Sequence, residues 1–417
     1  MSPLWLLLDR VVTSGKLTFI DANGRRRVYG DNTGPEVVAR LQDKAVEWRI
    51  GLDPGLAIAE AFMDGRLTLE QGSLYDFLEV LIRNTARQGP PGSALMLDRM
   101  RYATRWVRQY NPALRAARNA SHHYDIPPEL YDLFLDPDWQ YSCAYFPHES
   151  VDLAEAQRAK KRHIAAKLRV SPGQEVLDIG SGWGGLGLSL AKLADARVTG
   201  ITLSNEQLRR ARDRARKMGL DNQVRFELRD YRKVQERFDR IVSVGMFEHV
   251  GVNHYQEFFD QIYKLLKNDG VALLHAIGRS DTPGITNPFI EKYIFPGGYI
   301  PALSEVLPAI ERAGLITADI EILRLHYADT LRAWCNAFMA RRDEAKRLMG
   351  EQFCRMWEFY LAGSELAFRY QGLMVFQIQL IKQVDALPLT RDYMVEDERR
   401  LQAIETGEGQ RPRLAGT

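Results

Sequence analysis

Cysteine is scarce in this chain: Cys143, Cys335 and Cys354 are the only three in 417 residues. Their odd number, and the lack of any CxxC or Cys/His ligand spacing, argue against a disulfide framework and against a zinc site, and fit a reducing compartment. Long apolar runs are missing too. Leu4-Trp5-Leu6-Leu7-Leu8 is cut off at once by Asp9 and Arg10, too short for the apolar core of a signal peptide or for a membrane span of about 18 residues. A cytoplasmic protein is expected, with any membrane contact peripheral. Nor is there an excess of one charge: 56 Lys+Arg against 54 Asp+Glu leave +2, which gives no case for a nucleic-acid partner. What the chain does have is a hydrophobic fraction of 45%, enough to bury one large core and a smaller one.

Two regions differ in pattern. Over residues 16–30, Leu17-Thr18-Phe19-Ile20 and Arg27-Val28-Tyr29 flank an Asn23-Gly24 pair, the signature of a β-hairpin. Apolar residues at three- and four-residue spacing then predict helices over Leu56–Met63 and Leu74–Ile82. Gln88-Gly89-Pro90-Pro91-Gly92-Ser93 breaks the chain and marks a boundary. A small N-terminal α+β domain is therefore expected over 1–90, and a linker with a basic helix over 91–119. Residues 99–118 carry Arg99, Arg101, Arg105, Arg108, Arg115 and Arg118 with aromatic residues interleaved and no acidic residue. Such a helix suits an anionic membrane surface, and equally a solvated helix packed on the next domain.

From about residue 170, short β-prone runs alternate with helical stretches. Glu175–Gly180, Val198–Leu203, Val224–Leu228, Phe238–Val244 and Val271–Ile277 are the candidate strands; Ser204–Met218 and Tyr255–Leu266 lie among the helices. Alternation of this kind specifies an α/β fold with a mostly parallel sheet, here over 120–398. The remainder, 399–417, reads as a flexible tail.

The first strand runs into Asp178-Ile179-Gly180-Ser181-Gly182-Trp183-Gly184-Gly185. Glycines there let the backbone take positive φ and approach a ligand. The spacing differs from the dinucleotide GxGxxG and resembles motif I of class I methyltransferases, which implies S-adenosylmethionine as cofactor and a Rossmann-like fold. Many such enzymes place an acidic residue after the second strand; this chain has Thr202, Leu203, Ser204 and Gln207, whose hydroxyl and amide groups also hydrogen-bond. The third strand runs out at Asp230-Tyr231.

Ligands of open parallel sheets bind beyond the carboxyl ends of the strands. The fourth strand delivers Glu248 and His249 there, and the fifth delivers His275. Singly, each has a plainer reading as a loop carboxylate or a core histidine. Together, over one ligand edge, they point to a reaction centre.

Several blocks resemble the cyclopropane fatty acid synthases and mycolic acid cyclopropane synthases. They are His122-His123-Tyr124-Asp125, Leu135-Asp136-Pro137, Tyr141-Ser142-Cys143-Ala144-Tyr145-Phe146, Gly245-Met246-Phe247-Glu248-His249-Val250-Gly251, Leu274-His275-Ala276-Ile277, Ile294-Phe295-Pro296-Gly297-Gly298 and His326-Tyr327-Ala328-Asp329 through Trp334. The likeness runs from about residue 120 to 385, and the leading domain resembles that of the longer bacterial members. It implies methyl transfer from S-adenosylmethionine to the cis double bond of a membrane phospholipid acyl chain, followed by loss of a proton to a bound bicarbonate and ring closure. It assigns bicarbonate to Cys143, Glu248, His275, Ile277 and Tyr327, with Cys143 and Ile277 acting mainly through backbone groups. It sets Tyr141, Ser142, Asp178, Gly180, Gly182, Thr202, Leu203, Ser204, Gln207, Asp230 and Tyr231 around the cofactor. It also suggests a homodimer, with the leading domain serving membrane engagement or subunit contact. Methylation of the same alkene to a methylene- or methyl-branched chain is the alternative, since it would use the same residues. A membrane-docking protein without turnover would not need both the glycine loop and the Glu/His/Tyr set, and a small-molecule O- or N-methyltransferase would not need that set. The aromatic block Phe353–Phe376 reads either as one wall of an acyl tunnel or as plain core.

Overall fold

The computed structural model describes residues 2–88, 97, 100–102 and 127–408. Two compact units form. One gathers the described residues of Met1–Arg108, Gly284–Pro296 and Tyr327–Leu373; the other gathers those of Gln109–Pro283, Gly297–His326 and Met374–Thr417. This differs from the contiguous division at residues 90 and 120, and the reason is burial. The helix Glu351–Tyr370 places Ala362 and Leu366 in the same apolar cluster as Leu4, Phe19 and Phe77. Glu60 in turn accepts hydrogen bonds from Lys292 Nζ (2.6 Å) and Tyr293 Oη (2.9 Å). The break at 89–93, most of the basic segment 99–118, and His122–Asp125 lie outside the described residues. Of that basic segment, Arg101 pairs with Asp53 at 2.7 Å.

In the first unit a four-stranded sheet is ordered β2-β1-β3-β4, from β1 (Lys16–Ile20), β2 (Arg26–Tyr29), β3 (Glu36–Leu41) and β4 (Leu67–Gln71). The β1–β2 hairpin falls where the Asn-Gly signal puts it. Its turn is held by Asp21 Oδ1, which accepts the N–H groups of Asn23 (2.8 Å) and Arg25 (2.9 Å), with Gly24 at φ +82°. Helices Pro54–Met63 and Leu74–Gln88 cover the two predicted stretches. The apolar run at the start forms one face of the helix Pro3–Val11, burying Leu4, Trp5 and Leu8. Trp357, Tyr360 and Phe368 of the aromatic block are buried within this unit.

The second unit holds a seven-stranded sheet ordered β10-β11-β9-β8-β5-β6-β7. Its strands are β5 (Glu175–Ile179), β6 (Arg197–Thr202), β7 (Val224–Leu228), β8 (Phe238–Val244), β9 (Leu266–Arg279), β10 (Ile316–Ile322) and β11 (Leu373–Ile381). The pairs β5/β6, β6/β7, β5/β8 and β8/β9 are parallel, and β10/β11 is antiparallel. Strands β5 to β9 are the five read from the sequence. β10 and β11 lie outside the five strands expected, although both carry local signals: in β10 Ile316, Ala318, Ile320 and Ile322 alternate with Thr317, Asp319 and Glu321, and Gly372 at φ +70° separates β11 from the helix before it.

The order reverses at β5, which lies between β8 and β6. This is the switch point where an open sheet leaves a crevice. The end of the chain departs from the expected tail. A helix spans Asp392–Thr406 and buries Met394, Leu401 and Ile404, while Arg162 pairs with Glu405. Leu401 and Ile404, three residues apart, share one helical face, a signal the flanking polar residues obscure.

Candidate active site

A cleft open to solvent lies at the carboxyl ends of β5 to β8. Its floor is the glycine loop between β5 and the helix Gly185–Ala194. Gly180, Gly182 and Gly184 sit at φ +82°, +54° and +82°, backbone that side-chain-bearing residues rarely adopt. Close approach matters as well. A Cβ on Gly180 would lie 2.8 Å from Met246 Cβ, and one on Gly185 would lie 2.2 Å from Gln140 Nε2. The N–H groups of Gly180 and Ser181 both bind the Ile201 carbonyl, at 3.0 and 2.9 Å, which ties the loop to β6.

Beyond β6, the Thr202 hydroxyl donates to Gln207 Oε1 at 2.7 Å and accepts the Ser204 N–H at 3.1 Å. With its oxygen engaged, the Gln207 amide leaves its NH₂ group for a ligand. Ser204 serves the local backbone instead, its hydroxyl capping the helix Asn205–Lys217 by accepting the Gln207 N–H. Beyond β7, Arg232 forks onto the Asp230 carboxylate, Nε to Oδ1 at 2.9 Å and Nη2 to Oδ2 at 2.6 Å. Burial alone would raise the Asp230 pKa, but the guanidinium and the Arg232 N–H hold it below the usual range.

Two buried ionisable side chains line the cleft. Asp178 is buried, and its Oδ2 has no hydrogen-bond partner. Burial pushes its pKa up to about 7, with Lys160 opposing. Lys160 is equally buried, pushed down to about 8, and donates to Gln140 Oε1 (2.6 Å) and Ser142 Oγ (2.8 Å). Aromatic rings also line the cleft: Trp139 and Trp183 meet edge to face at 5.2 Å, and the Arg210 guanidinium lies 3.6 Å from the Trp139 ring centroid.

The cleft thus gathers ten of the eleven residues assigned to the cofactor, all except Ser204. It also gathers Trp139, Gln140, Lys160, Trp183, Met246 and His249, which the motifs alone did not assign to it. Trp183 sits inside the glycine motif and was readable there. Lys160, in a helix with Lys161 beside it, reads as a solvated charge and gave no signal.

Glu248 occupies a short 3₁₀ turn, Phe247–His249, just past β8. Its Oε1 accepts the Ile277 N–H at 2.6 Å, and its Oε2 has no partner. Burial pushes this carboxyl up to about 7. His275 lies in β9 opposite Val244, and its carbonyl accepts the Gly245 N–H at 3.0 Å. Burial, with Lys160 and Lys167 nearby, pushes the imidazole down to about 3, so it is neutral. His249 is likewise pushed down to about 4 by burial. Glu248, Ile277 and His275 are therefore gathered at the β8–β9 edge. Cys143 is buried one residue beyond Ser142, a cleft residue, with its Sγ 3.2 Å from the Ala144 carbonyl. Tyr327 belongs to the other compact unit, where its ring lies 5.9 Å from Trp334 and 5.0 Å from Phe368.

Among the described residues, no helix is long and apolar enough to cross a membrane. A family model described as mycolic acid cyclopropane synthetase matches residues 112–378. The cyclopropane-fatty-acyl-phospholipid synthase of Escherichia coli (strain K12) is 36% identical over 337 residues, 81% of this chain and 86% of that protein. A probable fatty acid methyltransferase of Pseudomonas putida is 36% identical over 86% of this chain and 89% of its own length. The tuberculostearic acid methyltransferase of Mycobacterium tuberculosis is 34% identical over 90% of each chain. Among solved structures, a cyclopropane synthase from Mycobacterium tuberculosis superposes with a TM-score of 0.61 at 33% identity, covering 65% of this chain and 99% of that one. A mycolic acid cyclopropane synthase complexed with SAH and CTAB gives 0.60 at 32% identity, with the same coverage. The fold is that of the class I methyltransferases.

Proposed function

The chain belongs to the mycolic acid cyclopropane synthetase family, and on that premise we propose that it converts the cis double bond of unsaturated phospholipid acyl chains into a cyclopropane ring. The cleft fits S-adenosylmethionine: the glycine loop leaves room for it, Asp178 Oδ2 is an unpartnered acceptor, and the Gln207 amide is an available donor. That cofactor supplies an electrophilic methyl group. An alkene is a weak nucleophile, so the protein must align it and keep water from the cation that forms on the acyl chain. Loss of a proton from the new methyl group then turns the C–H electron pair into the third ring bond.

The observation that carries this reading is the state of Glu248. Two anions cannot share a dry pocket unless one is neutralised. With its pKa raised to about 7 by burial, Glu248 holds a proton over much of the neutral range. Its unpartnered Oε2 then donates to an anion while Oε1 stays anchored on Ile277. Bicarbonate is the anion proposed here, and when bound it would supply the base. Neutral His275 adds a second donor, and the Cys143 backbone contributes further contacts. We assign membrane engagement or subunit contact to the N-terminal unit, at the inner face of the membrane; vesicle co-sedimentation of the full chain with and without anionic lipid tests the first.

Incubation with vesicles of cis-monounsaturated phospholipid and methyl-labelled S-adenosylmethionine, followed by mass spectrometry, is the test. A product heavier by one methylene and resistant to ozonolysis is expected. A product of that mass still cleaved by ozone, or a saturated methyl-branched chain, would favour the second reading. That reading draws support from the two methyltransferase relatives aligned along almost the whole chain. No labelled lipid at all would overturn both.

A further inference from the structure

His275 is not held by Glu248 but from behind, by a buried chain of polar side chains. Gln377 of β11 and Lys167 of the helix Leu153–Leu168 are both almost fully buried, with exposures of 1% and 2%. Lys167 Nζ lies 2.8 Å from Gln377 Oε1, and Gln377 Nε2 lies 3.1 Å from His275 Nδ1. Lys167 also pairs with Glu321, which accepts from His163 Nε2 at 2.6 Å, while His163 Nδ1 meets Glu398. Two cations thus face two carboxylates, and a lysine with almost no solvent access is compensated.

The direction of each hydrogen bond follows from valence. An ammonium group has only donors, so the end of the Gln377 amide beside it must be the oxygen. The NH₂ end then faces His275 and can only donate. Nδ1 must therefore offer its lone pair, and a neutral imidazole with a free Nδ1 lone pair carries its hydrogen on Nε2. The other tautomer, and the imidazolium, would each set two donors face to face. Burial beside two lysines independently keeps the ring neutral.

Resting on the reading of His275 as part of the reaction centre, we propose that Lys167 and Gln377 are positioning residues that lock His275 as its Nε2–H tautomer, so that it meets the site as a neutral hydrogen-bond donor. The same wiring denies it the role of general base through Nδ1. A carboxylate at position 377 would instead accept a hydrogen bond from a protonated Nδ1 and so favour the other tautomer, and an apolar group would let the tautomers interconvert.

Nitrogen-15 NMR of the full chain labelled at histidine reads the tautomer directly, with the His275 signals identified by their loss in His275→Gln. The native protein is expected to show a protonated Nε2 and an unprotonated, hydrogen-bonded Nδ1. Gln377→Glu should move the proton to Nδ1 and lower kcat roughly tenfold or more, with the KM for S-adenosylmethionine little changed. Gln377→Met, without a new charge, should give mixed tautomers and a smaller loss, and it guards against a folding defect in the first variant. A native Nδ1–H tautomer, or an unmoved proton in Gln377→Glu, overturns the proposal whatever the activity. A moved proton with native kcat overturns instead the placing of His275 in the reaction centre, and with it the purpose of the lock.

Discussion

Replacing Glu248 by Gln should separate the energetic burden of this carboxyl from its chemical use. The side chain is buried, with one oxygen on the Ile277 N–H and the other unpartnered, and its pKa rises from 4.5 to about 7. A raised pKa means that the folded protein holds the proton more tightly than the unfolded chain. The stability contribution of this group is therefore most favourable at low pH and is lost as pH climbs from the unfolded value through the folded one. Integrating the linkage gives a loss of about 1 kcal/mol by about pH 5.5 and about 3 kcal/mol by about pH 8, a difference of about 2 kcal/mol. Gln cannot ionise. Whatever the amide costs in packing or hydrogen bonding, that cost is the same at both pH values and cancels in the comparison. Urea unfolding of both proteins at the two pH values is the assay, followed by signals from both compact units. The native protein should lose about 2 kcal/mol more than the variant between the two pH values, while the variant makes little or no modified lipid. Parallel pH dependence of the two proteins would refute the reasoning, because it would mean that Glu248 ionises as it does in water.

Gly180→Ala should weaken cofactor binding in calorimetry and destabilise the fold by about 1–3 kcal/mol, because φ is +82° and the new Cβ would press on Met246. Gly219→Ala, at φ +66° with nothing within 4 Å, is the control and should cost only the backbone strain, about 1 kcal/mol. Cys143→Ala should keep most of the activity in the labelled-lipid assay, because its proposed contribution is from the backbone. Adding S-adenosylhomocysteine should change the tryptophan fluorescence, and Trp183→Phe should remove much of that change, since Trp139 and Trp183 line the cleft and touch each other.

Local signals carried most of the way to the sheet. Strands β5 to β9 alternate with helices in a pattern set by backbone periodicity, and the Asp178–Gly185 loop announces its turn because glycine takes its positive φ values with least strain. The β1–β2 hairpin was legible for the same reason. Ten cofactor-cleft residues were nameable because each follows a strand end or belongs to a quoted motif, and strand ends share one edge in a parallel sheet. Of the residues proposed for bicarbonate, Glu248 and His275 were nameable together from their strand ends, whereas Cys143, Ile277 and Tyr327 owe their naming to the family likeness alone.

What no local pattern could convey was which distant residues would share an interior. That the insert 327–373 folds with the N-terminal sheet, that 392–406 is a packed helix, and that β10 and β11 extend the large sheet all depend on apolar faces meeting across hundreds of residues. The protonation states were decided in the same way. Glu248, Asp178, Lys160 and His275 have ordinary side chains, whose pKa values moved because the fold removed their water. Gln377 stands 102 residues from His275 in the chain, and only the tertiary structure sets its amide against that ring. Composition and periodicity determine which segments become strands and helices; desolvation and side-chain pairing exist only once those segments are packed.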